Sequence, residues 1–265
     1  MHQNDALQNR NAVPSKLLMK NHFLAIFSFH LVLLAGVQAE TVFKEDFEAA
    51  AETENAAAVD GATTWTSRGN RPLLSVVVDS EGLKSGNTLK ISKGFVYVTF
   101  PEVVLQEGDS LELSFRFRFA QPPQETGFPL RIGLYKDSNG NPTDGYAPGY
   151  WFMSNPAAEG GKSMVVMEEG TDGSPGGGSD FKGLQDLFPG PATGTAVNKF
   201  KWTILRSSVG VDMAIQTNDE PPVTRADKAG KVTRFNAFGI SIASMENAEF
   251  LIDDVALNVI RKDKK

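Results

Sequence analysis

The clearest pattern along the chain is Leu111-Glu112-Leu113-Ser114-Phe115-Arg116-Phe117-Arg118-Phe119, in which five apolar residues alternate with four polar ones. Successive strand residues point to opposite faces, so this period of two predicts a strand with one core face and one wet face. Leu130-Arg131-Ile132-Gly133-Leu134-Tyr135 repeats it, with Leu130, Ile132 and Leu134 inward. The expected core is Leu111, Leu113, Phe115, Phe117, Phe119, Leu130, Ile132, Leu134 and Trp202, with the apolar set of the last strand. Apolar, β-branched runs predict further strands at 41–48, 73–78, 88–92, 95–100, 163–168, 199–206, 209–216, 235–243 and 248–260. The 88–92 and 95–100 runs are expected to pair across Lys93-Gly94, and 199–206 with 209–216 through Ser207-Ser208. The Ala- and acid-rich stretch 49–62 predicts a loop or short helical turn, and Trp65 falls in a polar loop with Arg68 and Arg71. Asn139-Gly140 is a strong hairpin signal, whereas 170–197 is an unusually long Gly/Pro-rich loop. In the final run, Leu251, Val255, Leu257 and Val259 point one way, and Asp253 is expected to point with them. No convincing amphipathic helix, tandem repeat, βαβ rhythm or interdomain linker interrupts these runs. The pattern therefore predicts an all-β, two-sheet jelly-roll sandwich.

Ahead of these strands, Lys16 and Lys20 precede the apolar run Phe23–Leu34, and Val37-Gln38-Ala39 supplies small residues for a signal peptidase. This reads as a secretory signal with an N-terminal extension over 1–39, too short to span a bilayer, with Met19 as an alternative start. Removing 39 of the 265 residues leaves 226, Glu40–Lys265, as one domain with no expected membrane insertion. Cleavage also removes Arg10, Lys16, Lys20 and Asp5, leaving 23 Lys+Arg against 31 Asp+Glu and a net charge of −8. That balance argues against a nucleic-acid partner. The chain has no Cys, and its three His residues, His2, His22 and His30, all lie in the leader. The expected mature protein thus has no thiol nucleophile, no Ser-His-Asp triad and no His- or Cys-ligated zinc. Export without disulfides fits a secreted or periplasmic bacterial protein.

The stretch FLIDDVAL (250–257) resembles the closing strand of secreted bacterial sandwiches of the concanavalin A-like jelly-roll kind, which include laminin-G-like and carbohydrate-binding domains. KFKWTILRSSVGVDMAIQTND (199–219) looks like the hairpin that precedes the family's last two strands, and FNAFGISIAS (235–244) looks like the first of those two. LELSFRFRF and LRIGLY look like the paired strands at the middle of the sheet, so the resemblance covers about 41–260. In related carbohydrate-binding jelly rolls, a Phe-Glu near the domain start and an Asp of the closing strand share a structural calcium ion. The resemblance implies this role for Glu48 and Asp253, with Asp46 as an extra ligand. Hard oxygen donors suit calcium. The alternative for Asp253 is hydrogen bonding to backbone amides or pairing with Arg or Lys. The acidic loop 137–141 resembles an EF-hand loop only weakly, since Pro142 stands where its Gly belongs, and the hairpin-turn reading is preferred.

If the two alternating strands share a sheet, Arg116, Arg118, Arg131 and Tyr135 project from its wet side, bordered by Tyr146, Tyr150 and Trp151. Aromatic planes that stack on sugar rings, beside planar Arg donors, are what glycan recognition needs. The competing reading is ordinary outward Arg on solvated strands, with aromatics filling a covered sheet. Glu168-Glu169 are adjacent and turn to opposite faces of a strand, so they do not form an opposed carboxylate pair. The sequence is therefore read as a non-catalytic module whose partner is a polysaccharide or glycan. A structural or adhesive cell-surface module without a sugar site is the alternative, and a polysaccharide-active hydrolase or lyase the third reading.

Overall fold

A computed structural model describes residues 38–80, 82–83, 85–121, 130–136, 148–155, 162–168, 182–187, 195–242 and 249–262. These belong to a compact unit, Gly36–Lys265; a second unit, Met1–Ala35, lies outside them. Two antiparallel sheets face each other. The nine-stranded sheet contains β1 (Gln38–Glu45), β2 (Thr53–Ala56), β5 (Leu74–Asp79), β6 (Ser85–Ile91), β8 (Ser110–Gln121), β13 (Asn198–Ser207), β14 (Gly210–Thr217), β15 (Val223–Asp227) and β17 (Glu249–Arg261). The eight-stranded sheet contains β3 (Ala58–Asp60), β4 (Thr64–Ser67), β7 (Gly94–Val104), β9 (Leu130–Tyr135), β10 (Gly149–Asn155), β11 (Lys162–Glu168), β12 (Lys182–Leu187) and β16 (Arg234–Ile242). The fold is the all-β, two-sheet jelly-roll sandwich that the alternation and the resemblance implied. Among the described residues no helix is long and apolar enough to cross a membrane.

The closing strand β17 is central. It pairs with β8 on one side, and on the other with β6 through 250–252 and with β1 through 255–261. The expected core residues of β8, β9 and β13 join Val255, Leu257 and Val259 in one continuous cluster between the sheets, whereas Leu251, expected with them, is buried on the outer side of β17 opposite Arg118. Phe115 stacks on Phe200 at 4.9 Å, and Phe117 on Phe250 at 5.3 Å. The β13–β14 hairpin forms as expected, with Ser207 opposite Gly210 and the turn at Ser208-Val209.

Other expectations change. The runs 88–92 and 95–100 do not pair, because the chain passes between the sheets at Lys93-Gly94. Gly94 has φ +145, and a Cβ there would lie 2.3 Å from Leu73 Cδ1. The strands holding LELSFRFRF and LRIGLY also lie in different sheets, as do the last two strands, β16 and β17. Alternation fixes which side of a strand meets the core, but both sheets offer the same core to the same pattern. The Ala-rich stretch forms the short strands β2 and β3, Trp65 is fully buried on β4, and β12 lies within the long Gly/Pro-rich stretch.

Asp253 corrects the period-two count in β17. The register shifts between Asp253 and Ala256, with Asp254 at φ +52. This β-bulge inserts one residue and reverses the facing that follows. Phe250 and Ile252 are core residues before it, and Val255, Leu257 and Val259 after it. Asp253 therefore lies with Arg116, its register partner, on the side of the sheet away from the core.

Candidate functional site

The outer side of the eight-stranded sheet holds a second, separate apolar cluster: Phe95, Tyr97, Tyr135, Trp151, Met153 and Ala237. Its geometry follows from alternation. On β9, Leu130, Ile132 and Leu134 enter the core, leaving Arg131, Gly133 and Tyr135 on the other face. On β10, Tyr150 and Phe152 enter the core, and Trp151 and Met153 face outward. Trp151 lies opposite Gly133, Gly133 opposite Gly239, and Gly239 opposite Tyr97. Those two glycines form a floor on which rings lie flat. A Cβ on Gly133 would sit 2.4 Å from the Trp151 ring, and one on Gly239 would sit 2.6 Å from Phe95. Tyr135 stacks on Trp151 at 5.4 Å and 18°, with Phe95 6.1 Å from Trp151.

Beside this plate, Arg131 is half-buried, next to Met153 on one neighbouring strand and Ser241 on the other. Tyr135 and Trp151 are both 0% exposed in the chain. The Trp151 indole N–H is buried without a hydrogen-bond partner, as are those of Trp65 and Trp202 in the core. A buried, unpaired donor costs about 1–3 kcal/mol, so the plate owes its stability to ring packing.

Arg116 and Arg118 do not join Arg131. They lie on the outer side of the nine-stranded sheet, and each meets acids there. Arg118 Nε and its terminal nitrogen bond the two carboxylate oxygens of Asp79 at 2.7 and 2.6 Å. Asp79 also accepts the amides of Leu83 and Gly82. The Arg118 hydrogen bond holds the Asp79 carboxyl below the usual range despite the opposing effect of burial. Arg116 bonds Asp253 at 2.9 Å, Asp254 at 2.5 Å and the Leu83 carbonyl at 2.6 Å. A Cβ on Gly82 would lie 2.0 Å from Arg118 Nε, so the segment after β5 rests directly on this guanidinium. The two arginines thus clamp that segment onto the sheet.

Tyr150 is a core residue rather than a border of a wet face. Its hydroxyl donates to Asp227 Oδ2 at 2.8 Å, which ties β10 in one sheet to the end of β15 in the other. Asp227 Oδ1 accepts the Ala229 amide. Burial, and then the bond to Asp227, pushes the Tyr150 hydroxyl pKa upward. Tyr146 and the 137–142 turn lie outside the described residues.

The three acids expected to share calcium are engaged separately. Glu48 accepts the Gly86 amide at 2.9 Å, Asp46 accepts the Glu48 amide at 3.3 Å, and Asp253 faces Arg116. Among the described residues no three such side chains gather as metal ligands. The Arg116 guanidinium bonds one oxygen of Asp253, Oδ2. The pairing alternative for Asp253 is the one observed. The enclosed acid near the domain start is Glu45, which accepts the amides of Phe47 and Thr63 at 2.9 and 2.8 Å. It could have been found by counting two residues on from the inward Phe43.

No family model matches the sequence, and no curated protein matches it. Among solved structures, the metal-free Emp46p carbohydrate recognition domain is similar at 15% identity and a TM-score of 0.48, covering 73% of this chain and 87% of that one. The endo-1,3-β-glucanase from Streptomyces sioyaensis is similar at 14% identity and a TM-score of 0.48, covering 83% and 96%. Peanut lectin is similar at 14% identity and a TM-score of 0.43, covering 86% and 100%. These are likenesses of chain path only, and the fold assignment rests on the strand order itself.

Proposed function

We propose that this protein is a non-catalytic β-sandwich module, exported after loss of its leader and used as a structural or adhesive unit. One observation carries this reading: the side chains best suited to grip a sugar are already occupied within the fold. Arg116 and Arg118 bond Asp253, Asp254 and Asp79, Tyr150 holds Asp227, and Tyr135 and Trp151 are covered. A glycosidase would need two carboxylates about 5–9.5 Å apart across a groove. Asp79, Asp227 and Asp253 serve as internal bonds.

The test is a screen of the purified chain against neutral and acidic polysaccharides, with Arg131→Ala alongside. The expected result is no glycan bound more tightly than millimolar. Micromolar binding that disappears in Arg131→Ala, with an unchanged melting temperature, would replace this reading.

That outcome would establish the second reading, glycan binding, which one observation favours. Arg131 is half-buried beside Met153 and Ser241 on the face that carries the stacked Tyr135–Trp151 pair.

A further inference from the structure

We draw no further inference here: the strongest candidate, the aromatic face of the eight-stranded sheet where Tyr135 and Trp151 stack above Gly133, belongs to the site already described, and nothing in the structure shows what covers it.

Discussion

Tyr150→Phe isolates a single hydrogen bond between the two sheets. The ring is fully buried and lies 6.4 Å from Phe235, and Phe keeps that packing, so no cavity is created. What disappears is the donor to Asp227 Oδ2 at 2.8 Å, on a carboxylate only 4% exposed. Hydrogen bonds to charged groups contribute about 1.5–3 kcal/mol. Asp227 Oδ1 keeps the Ala229 amide, so the carboxylate is not stripped bare. The loss therefore belongs at the lower end, about 1.5–2 kcal/mol. For a domain of this size it should lower the melting temperature by about 3–8 °C.

Equilibrium denaturation in urea measures the first quantity, and alkaline pH supplies an independent one. Burial raises the Tyr150 pKa, so the folded state retains a proton that the unfolded chain releases above about pH 10. The unfolded state then binds fewer protons, and stability falls as pH rises, by up to ~1.4 kcal/mol per pH unit. The contribution is fully present below pH ~10 and is lost above it. Tyr150→Phe lacks this proton, so the gap between wild type and variant should close as pH climbs past ~10. The other tyrosines titrate in both proteins and cancel. A loss below about 0.5 kcal/mol at pH 7, with parallel alkaline limbs, would show that the bond is not made in solution.

Three further outcomes are expected. Asp79→Ala should cost ~2–3 kcal/mol, less than a wholly enclosed pair because Arg118 keeps some exposure. The lowered Asp79 pKa means its contribution is present above pH ~4 and lost as pH falls further, so the variant should show a shallower acid limb in denaturation. Gly133→Ala should place a methyl against the Trp151 ring and cost about 1–3 kcal/mol, read by denaturation and by a changed tryptophan emission spectrum; neutral behaviour would mean that the ring does not lie on the glycine floor. Asp253→Asn should lower the melting temperature by weakening its pair with Arg116, and an equal drop with and without excess chelator would assign the whole contribution to that pair.

The faces of the strands were legible in the sequence, and their partners were not. Leu111 through Phe119 and Leu130 through Leu134 alternate regularly, and each apolar member is buried. A period of two states only that one side is apolar. It cannot say whether a strand approaches the shared core from one sheet or the other, so β8 and β9 read as neighbours although the core lies between them. The failure at Asp253 has a different origin. One bulged residue, Asp254, changes the parity of everything beyond it, and an Asp-Asp pair carries no letter that marks a left-handed backbone. Asp tolerates that conformation better than most residues, which is the one local reason for the bulge to sit there.

The placement of the arginines was not legible for a related reason, because charge in sequence has sign but no partner. Arg116 and Arg118 look like a basic stripe when β8 is read alone. In the sheet, Lys201 meets Glu112 at 2.7 Å, Arg116 meets Asp253 and Asp254, Arg118 meets Asp79, and Lys90 meets Glu249 at 3.2 Å. Lys90, Arg116, Arg118 and Lys201 are each matched by acids from other strands, so this part of the face offers an anion little net attraction. Its exposed pairs contribute at most ~1 kcal/mol each to stability. The eight-stranded sheet differs, because Gly133, Gly239 and Ala237 give its outer face little side chain of its own and leave room for four flat rings. The two outer faces thus solve the same problem differently, one by pairing charge and the other by covering aromatic surface. A ligand would have to displace an internal carboxylate on the first, or whatever covers Trp151 on the second. That competition is why the non-catalytic structural reading precedes the sugar-binding one.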